Sequence, residues 1–351
     1  MLNDRVIKPL GLKRTYYENA PPSVGIIPST VKDAYWSASL GDASPSVPLT
    51  PSEQNKHTHK QSQLTHPPSG GNMYSSPNDL SAIGRAILSS SLIKPALTRR
   101  WLNPITFSSD FVASIGAPWG VRRLQLAKET QPHRTLSVFT KAGTFRKYTA
   151  FLTLLRDFNL GFTIMVAGDP ALNNFQGADL LGASLIPAYD AVARDEADKL
   201  YSGIYVGKDS GGWLPTTRSW LTISTDPNKP GLGVGPWISN GTDMVELAMK
   251  LQTGSDDKPL RPETRLYYTK LESKTVNGGK NQAWKAVFED TGGPDFGQPL
   301  FSTDCGAWVG VTGITYGALP LDEFVFNFDS SGKVVSVTNL ALRTTLYKLQ
   351  S

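Results

Sequence analysis

The chain is poor in the residues that most often announce chemistry. Its 351 residues include one cysteine, Cys305, and four histidines. A lone cysteine excludes a disulfide framework and a thiolate zinc site, and Cys305 reads as a packed small residue rather than a nucleophile. The compartment stays open on this count. No apolar run reaches the ~18 residues that a membrane span needs. Met1 leads onto Asn3, Asp4 and Arg5 with no signal-peptide hydrophobic stretch, although a longer product would be free to carry one. Charge of one sign is also scarce, because 35 Lys and Arg against 30 Asp and Glu leave a net charge of +5. The basic pairs Arg99-Arg100, Arg122-Arg123 and Arg146-Lys147 lie far apart with no aromatic-interleaved tract, so a nucleic-acid partner is not expected.

What is present is enough for real cores: 39% hydrophobic and 10% aromatic residues in a length that suggests two domains. Leu2, Val6, Ile7 and Leu10 stand at helical spacing before Gly11, which reads as a helix cut at its start and suggests missing upstream sequence. Residues 49–71 have almost no apolar residues and are rich in Ser, Thr, Gln, Pro and His, the composition of a flexible insert. His57, His59 and His66 fall in that stretch without a strand pattern and with only Glu53 nearby as a carboxylate, so no metal site is expected. SSPNDLSAIGRAIL then predicts a helix, with Ser76 as N-cap, Pro77 in the first turn, Asp79 at the positive end and an apolar face of Leu80, Ile83, Ile87 and Leu88. LSVFTKAG, TAFLTLLRD and LGFTIMVAG predict three successive antiparallel strands. ADLLGASLIPAYDAVARDEADKLY predicts a helix packed on that sheet and kinked or interrupted at Pro187.

From Tyr201 onward the texture changes. SGIYVG, SWLTIST, TRLYYTKLE, AWKAVFED, WVGVTGITYG, EFVFNFD, KVVSVTNL and RTTLYKL recur as short strand candidates between turn residues, the pattern of an all-β sandwich or barrel. The clearest hairpin is FNFDSSGKVVSVTNL, turning at Ser330-Ser331-Gly332. The expected division is a domain over 1–199 and a β-rich domain over 200–351, with no fixed-period repeat and no coiled coil. Trp36, Trp101 and Trp119 are expected to pack in the first core and the later tryptophans in the second. Asn240-Gly241-Thr242 is a glycosylation sequon that has meaning only in a secreted product.

GGNMYSSPNDLSAIGRAIL (Gly70 to Leu88) followed by SVFTKAGTFRKYTAFLTLLRDFNLGFTIMVAG (Ser137 to Gly168) resembles the C-terminal half of the serine β-lactamase and penicillin-binding-protein-like hydrolase family, and in particular its fungal two-domain branch. KPLGLKRTYY resembles the family's Pro-Leu-Gly-Met turn, IIPSTVKDAYWSASLGD the loop after it, and YSGIY (Tyr201 to Tyr205) the opening of the branch's β-rich C-terminal domain. The resemblance implies an α+β fold: a partial β-lactamase/transpeptidase-like domain, an antiparallel sheet with helices, followed by the all-β domain. It implies acyl transfer through an activated serine, without metal or cofactor. Such chemistry needs a base beside the hydroxyl and preorganised N–H donors for the oxyanion.

Lys141-Ala142-Gly143 stands at the family's Lys-Thr-Gly position. The resemblance gives Lys141 the electrostatic and proton-network role, the Thr144 N–H the second oxyanion donor, and Gly143 the task of keeping the strand open to substrate. Ala142 lacks the hydroxyl of the family Thr, which favours an ester-like substrate over a β-lactam carboxylate. Literal Ser-x-x-Lys matches at Ser29-Lys32, Ser91-Lys94 and Ser330-Lys333, and Tyr-x-Asn at Tyr17-Glu18-Asn19, lie outside the family's context and read as accidental. Two histories fit. Either an upstream exon supplies the nucleophile, with 49–71 read as a retained intron, or the protein is a decayed relative. The expected function is a serine hydrolase or acyltransferase acting on an ester, amide or lactone, incomplete as written and accessory to secondary metabolism. The alternative is a non-catalytic pseudo-hydrolase that binds a small molecule or a protein partner. The oligomeric state stays open, and a sheet missing upstream elements is expected to expose an edge and to lower solubility.

Overall fold

The computed structural model describes residues 1–17, 73–125, 135–145, 148–167, 174–207, 218–259, 261–292 and 305–349. The expected insert at 49–71, the His57, His59 and His66 group, Ser29-Lys32, Trp36 and most of Tyr17-Glu18-Asn19 lie outside these residues, as does the side chain of Cys305. The described residues form two compact units that divide between Tyr189 and Asp190.

In the first unit a π-turn at Asn3–Ile7 precedes β1 (Tyr16–Tyr17), which pairs antiparallel with β2 (Met73–Tyr74). Helix α1 (Pro77–Leu88) begins as its sequence specifies: Ser76 is extended and its Oγ accepts the Asp79 N–H at 3.2 Å, with Pro77 in the first turn. Asp79 is itself buried, and its Oδ2 accepts the Arg14 N–H at 2.7 Å and the Thr15 hydroxyl at 2.8 Å. Helix α2 (Pro95–Trp101) follows. Six strands then form an antiparallel meander in sequence order: β3 (Thr106–Phe107), β4 (Ala113–Ile115), β5 (Gly120–Gln125), β6 (Thr135–Phe145), β7 (Tyr148–Leu155) and β8 (Leu160–Ala167). The last three are the strands expected from the sequence, and β3 to β5 extend the sheet beyond them.

Period-two alternation divides the buried residues between the two faces of the sheet. Leu102, Trp119, Val121, Phe139, Leu152 and Leu154 form one core with Leu80, Ile87 and Leu88 of α1. Leu136, Val138, Leu155 and Ile186 form the other. The helix can lie close because a Cβ on Gly84 would stand only 3.2 Å from Leu154 and 3.3 Å from Leu152. Helix α3 (Asn174–Tyr201) contributes Ile186 and continues through Pro187, so of the kink or interruption expected there the interruption does not occur. Proline deletes one backbone donor. Buried Ile186, next to it, anchors the helix in the second of these cores, and that packing offsets the loss.

The second unit is a closed barrel. Its strands are β9 (Gly203–Gly207), β10 (Trp220–Ser224), β11 (Leu232–Ser239), β13 (Pro262–Lys274), β14 (Lys280–Asp290), β17 (Glu323–Phe328), β18 (Val334–Asn339) and β19 (Thr344–Lys348), with the two-residue β12 (Thr242–Asp243) hairpinned onto β11. Each barrel strand pairs antiparallel with the next, and β19 pairs with β9 to close eight strands. Alternate residues fill the interior, among them Tyr205, Leu221, Trp237, Leu266, Trp284, Phe324 and Phe326. The choice between sandwich and barrel thus falls to the barrel.

Strand patterning alone missed helix α4 (Met244–Thr253), whose Met244, Val245, Ala248 and Met249 enter the same core. Its ends are conventional: the Asp243 carboxylate accepts the Val245 and Glu246 N–H groups at 3.0 and 3.2 Å, and Gly254 stops it at φ +67°. WVGVTGITYG is not the expected strand. It holds the end of α5 (Cys305–Val309) and then β15 (Thr315–Tyr316), paired only with β16 (Leu319–Pro320). Thr312 at φ +67° bends the run out of an extended path. The Asn240-Gly241 sequon forms the exposed two-residue turn between β11 and β12, both residues at positive φ.

Candidate functional site

Lys141, Gly143 and Thr144 all stand on the last third of β6. On one side this segment is paired in full with β7, as Lys141↔Leu152, Ala142↔Phe151, Gly143↔Ala150 and Thr144↔Thr149. On the other side the ladder with β5 ends at Gly120↔Thr140. From Lys141 onward β6 therefore has a backbone edge with no strand partner among the described residues. A free row of N–H and C=O groups is what an extended ligand or an oxyanion needs from a strand.

The side chains around this edge follow from the pleat. Lys141 lies on the same face as Phe139 and Leu152, the face covered by α1. It is exposed, its Nζ donates to the Ala142 carbonyl oxygen at 2.8 Å, and no carboxylate pairs with it among the described residues. Gly143 is exposed, and a Cβ built on it would meet nothing within 4 Å, so the strand is open there. Thr144 is exposed one residue further on. Beside Gly120, Trp119 is 4% exposed and packs edge-on against Trp101 at 5.2 Å between ring centroids, while the Trp101 Nε1–H donates to the Ala117 carbonyl at 2.6 Å. The two rings form an apolar wall next to the end of the β5–β6 ladder, and Trp101 and Trp119 thus pack in the first core.

Tyr148, which nothing in the sequence singled out, stands opposite Phe145 at the start of β7. Burial, with Tyr74 beside it, pushes its hydroxyl above the usual tyrosine range, so it is a neutral donor and not a base at ordinary pH. Its sequence signal is only a tyrosine directly after the basic pair Arg146-Lys147.

The other serine-lysine matches are not brought here. The Ser91 hydroxyl donates to the Ala86 carbonyl at the end of α1. Ser330 to Lys333 form the expected hairpin turn, where the Asp329 carboxylate accepts the Ser331 and Lys333 N–H groups. Among the described residues no group of three His, Cys, Asp or Glu side chains is placed to hold a metal ion, and no helix is long and apolar enough to cross a membrane.

A second polar cluster lies in the barrel. Glu272 Oε1 accepts the Tyr268 hydroxyl at 2.7 Å, the Gln282 amide at 2.6 Å and the Lys280 ammonium at 3.2 Å, and Gln282 Oε1 accepts the Tyr201 hydroxyl at 2.6 Å. The hydrogen bond from Tyr268, then those from Gln282 and Lys280, hold the Glu272 carboxyl below its usual range, and burial pushes the Tyr201 hydroxyl up to about 12. All its members are spent on one another, which suits a structural tie better than a reacting site.

Comparison with known proteins bears on both units. Residues 193–350 match the family model of the beta-lactamase-like C-terminal domain. The chain is 25% identical over 362 aligned positions to a "Beta-lactamase-like protein" of Arthroderma benhamiae, covering 98% of this chain and 56% of that protein. It is 26% identical to "Probable hydrolase M10" of a Phoma species and to "Probable hydrolase clz13" of Cochliobolus lunatus, covering 84% of this chain in each case and 48% and 46% of theirs. It therefore spans about half the length of these relatives. Among solved structures it overlaps a D-stereospecific amidohydrolase from Streptomyces (TM-score 0.32, 17% identity, 52% of this chain and 47% of that one). It also overlaps an octameric penicillin-binding protein homologue from Pyrococcus abyssi (TM-score 0.34, 11% identity, 99% and 59%). By sequence the chain is related to a fungal β-lactamase-like protein and to two probable hydrolases, and its barrel unit lies within the stretch that matches the beta-lactamase-like C-terminal domain.

Proposed function

We propose that this chain is the part of a β-lactamase-like serine hydrolase or acyltransferase that carries the lysine strand, and that the intact enzyme acts on an ester, amide or lactone. The observation that supports it is the open edge of β6 beyond the Gly120↔Thr140 pair, with Lys141 exposed beside it and Gly143 unobstructed. In acyl transfer a hydroxyl oxygen attacks the carbonyl carbon, the proton passes to a base, and the carbonyl oxygen becomes an anion that fixed N–H donors stabilise. On this reading the Thr144 N–H is one such donor. The Lys141 ammonium supplies positive charge next to the developing anion and joins the proton network. Ala142 offers no hydroxyl to an anionic group on the substrate, which favours a neutral ester or lactone over a carboxylate-bearing ring.

The reading requires a serine from outside the described residues, and relatives about twice as long as this chain are consistent with that requirement. The test is hydrolysis of a panel of aryl esters and lactones by the longest natural product of the gene, with Lys141→Ala alongside. Turnover that falls at least a hundredfold in the variant, with KM little changed, supports the role of Lys141; equal turnover removes it. A second reading, a non-catalytic protein that binds a small molecule or a protein at the same edge, is favoured by the Lys141 contact to its own neighbour Ala142. Saturable ligand binding with no turnover on any substrate would select it. The resemblance extends the first reading to an accessory step in making a secondary metabolite. Gene deletion with an unchanged metabolite profile would remove that extension.

A further inference from the structure

Exposed apolar side chains concentrate in one hairpin of the first unit. Ile105, Phe107, Phe111, Val112 and Ile115 all belong to β3, β4 and the loop between them, at one side of the sheet. The register sets Thr106 against Ile115 and Phe107 against Ser114, so Ser108 to Val112 form the tip. Phe111 in the tip is 99% exposed, Phe107 beside it 80%, and Ile105 at the base 71%. One exposed phenylalanine is ordinary, but an apolar group of this density marks a surface that something else covers.

The loop's own polar groups are spent on one another. Ser108 Oγ donates to the Ala113 carbonyl at 2.6 Å and accepts the Asp110 N–H at 3.1 Å, and Asp110 Oδ1 accepts the Val112 N–H at 2.8 Å. Groups paired in this way cost less to take out of water. Basic charge surrounds the tip. The Val112 carbonyl accepts the Arg123 N–H at 2.8 Å and Ala113 pairs with Arg122, so one arginine stands beside the tip on each face of the sheet. Arg99 and Arg100 close α2 just before the hairpin's base, where the Arg100 carbonyl accepts the Asn103 N–H at 3.2 Å. All four arginines are exposed, and none has an ion-pair partner among the described residues. Residues 94–125 set five Lys and Arg against Asp110 alone, which is +4 of the chain's net +5.

We propose that this hairpin docks the protein on an anionic lipid surface, with Phe107, Phe111 and Val112 entering the acyl boundary and the arginines meeting the lipid phosphates. Charge complementarity selects the phosphate layer, since guanidinium groups pair with phosphate oxygens and basic residues are drawn to an anionic leaflet. A fluid bilayer also accepts a protruding ring without a preformed pocket, which a protein partner would have to supply. Attachment of this kind lies on the bilayer and requires no spanning helix.

The test is flotation of the full chain with vesicles of three parts phosphatidylcholine to one of phosphatidylserine, beside vesicles of phosphatidylcholine alone. It is repeated on a double variant Phe107→Ser with Phe111→Ser and on a double variant Arg122→Gln with Arg123→Gln. All four replaced residues are exposed, so the melting curves are expected to match the wild type. Binding to the mixed vesicles is expected to saturate and to weaken as salt is added. The arginine variant weakens it about 25-fold, at about fivefold per charge near an anionic surface. The phenylalanine variant weakens it at least about tenfold, the scale of burying one large apolar side chain. No binding to the mixed vesicles, equal binding to phosphatidylcholine alone, or unchanged binding in the phenylalanine variant overturns the proposal. Self-association in ultracentrifugation that the phenylalanine variant abolishes would assign the hairpin to a second copy of the chain, and release from vesicles by duplex DNA would assign the arginines to nucleic acid; either result overturns it. The longest natural product of the gene is expected to bind equally, and failure there would mean that other residues cover the hairpin, which also overturns it. None of these outcomes depends on the Lys141 site.

Discussion

Asp79→Ala removes the single carboxylate that ties the chain before β1 to the start of α1. Two bonds are lost, from the Arg14 N–H at 2.7 Å and from the Thr15 hydroxyl at 2.8 Å. Bonds to a charged acceptor are worth about 1.5–3 kcal/mol each, and Thr15 is buried, so its hydroxyl gains no water in exchange. Thr15 does have a second partner, the Ser75 hydroxyl at 3.0 Å, which keeps its share at the low end. The Ser76 cap is untouched, because it uses the Asp79 backbone N–H and not its side chain. The expected cost is about 3 kcal/mol, which at about 3 °C per kcal/mol lowers the first unit's Tm by about 9 °C. Asp79→Asn keeps one acceptor oxygen and costs about half as much. A chain with two compact units need not unfold in one step. The assay is therefore differential scanning calorimetry together with hydrogen exchange at Arg14 to Tyr17, whose amides lose protection first. A change below about 1 °C, or unchanged exchange at Arg14, would refute the claim that Asp79 holds this segment.

Further outcomes follow from the same coordinates. Phe324→Ala opens a cavity at a fully buried barrel position packed against Trp237. It is expected to cost about 3–5 kcal/mol in the barrel transition while leaving that of the first unit in place, as calorimetry would show. Asp243→Ala uncaps α4 and costs about 1 kcal/mol, read as a shift of the same barrel transition in urea. Glu272 has a folded pKa below its unfolded value. Its contribution to stability is accordingly present above the unfolded carboxylate range and lost as pH falls through the lower folded value. Barrel stability measured from pH 6 to pH 3 should decline more steeply in the wild type than in Glu272→Gln, and parallel curves would contradict the assignment.

The elements that were readable in the sequence are those whose signals are local. Ser76-Pro77-Asn78-Asp79 caps α1 as its side chains require, and the β-branched and aromatic runs of β6 to β8 are the three successive antiparallel strands expected. What escaped depends on distant partners or on short signals. Strands β3 and β4 have two and three residues, and β5 carries Arg122-Arg123, so their strand character comes from the neighbours each pairs with, β3 with β4, β4 with β5 and β5 with β6, and not from their own composition. Barrel closure requires β19 to reach β9 across the whole unit, which no hairpin signal encodes. Helix α4 was readable, since Asp243, Glu246 and Gly254 mark both ends, but a strand pattern on either side concealed it. At the candidate site Lys141, Gly143 and Thr144 came from a resemblance. The missing β5 partner, which gives those positions their open edge, appears only in the paired sheet.

The proposal that the Lys141 edge is half of an acyl-transfer site is tested most directly on the protein purified from its own source and treated with a fluorophosphonate. The measurement is its intact mass after any glycan is removed. The account predicts a product heavier than the 38.1 kDa of this chain that gains one phosphonyl adduct on a serine, with the adduct lost on heating first and strongly slowed in Lys141→Ala. A 38.1 kDa product that gains no adduct, or labelling indifferent to Lys141→Ala, would contradict it.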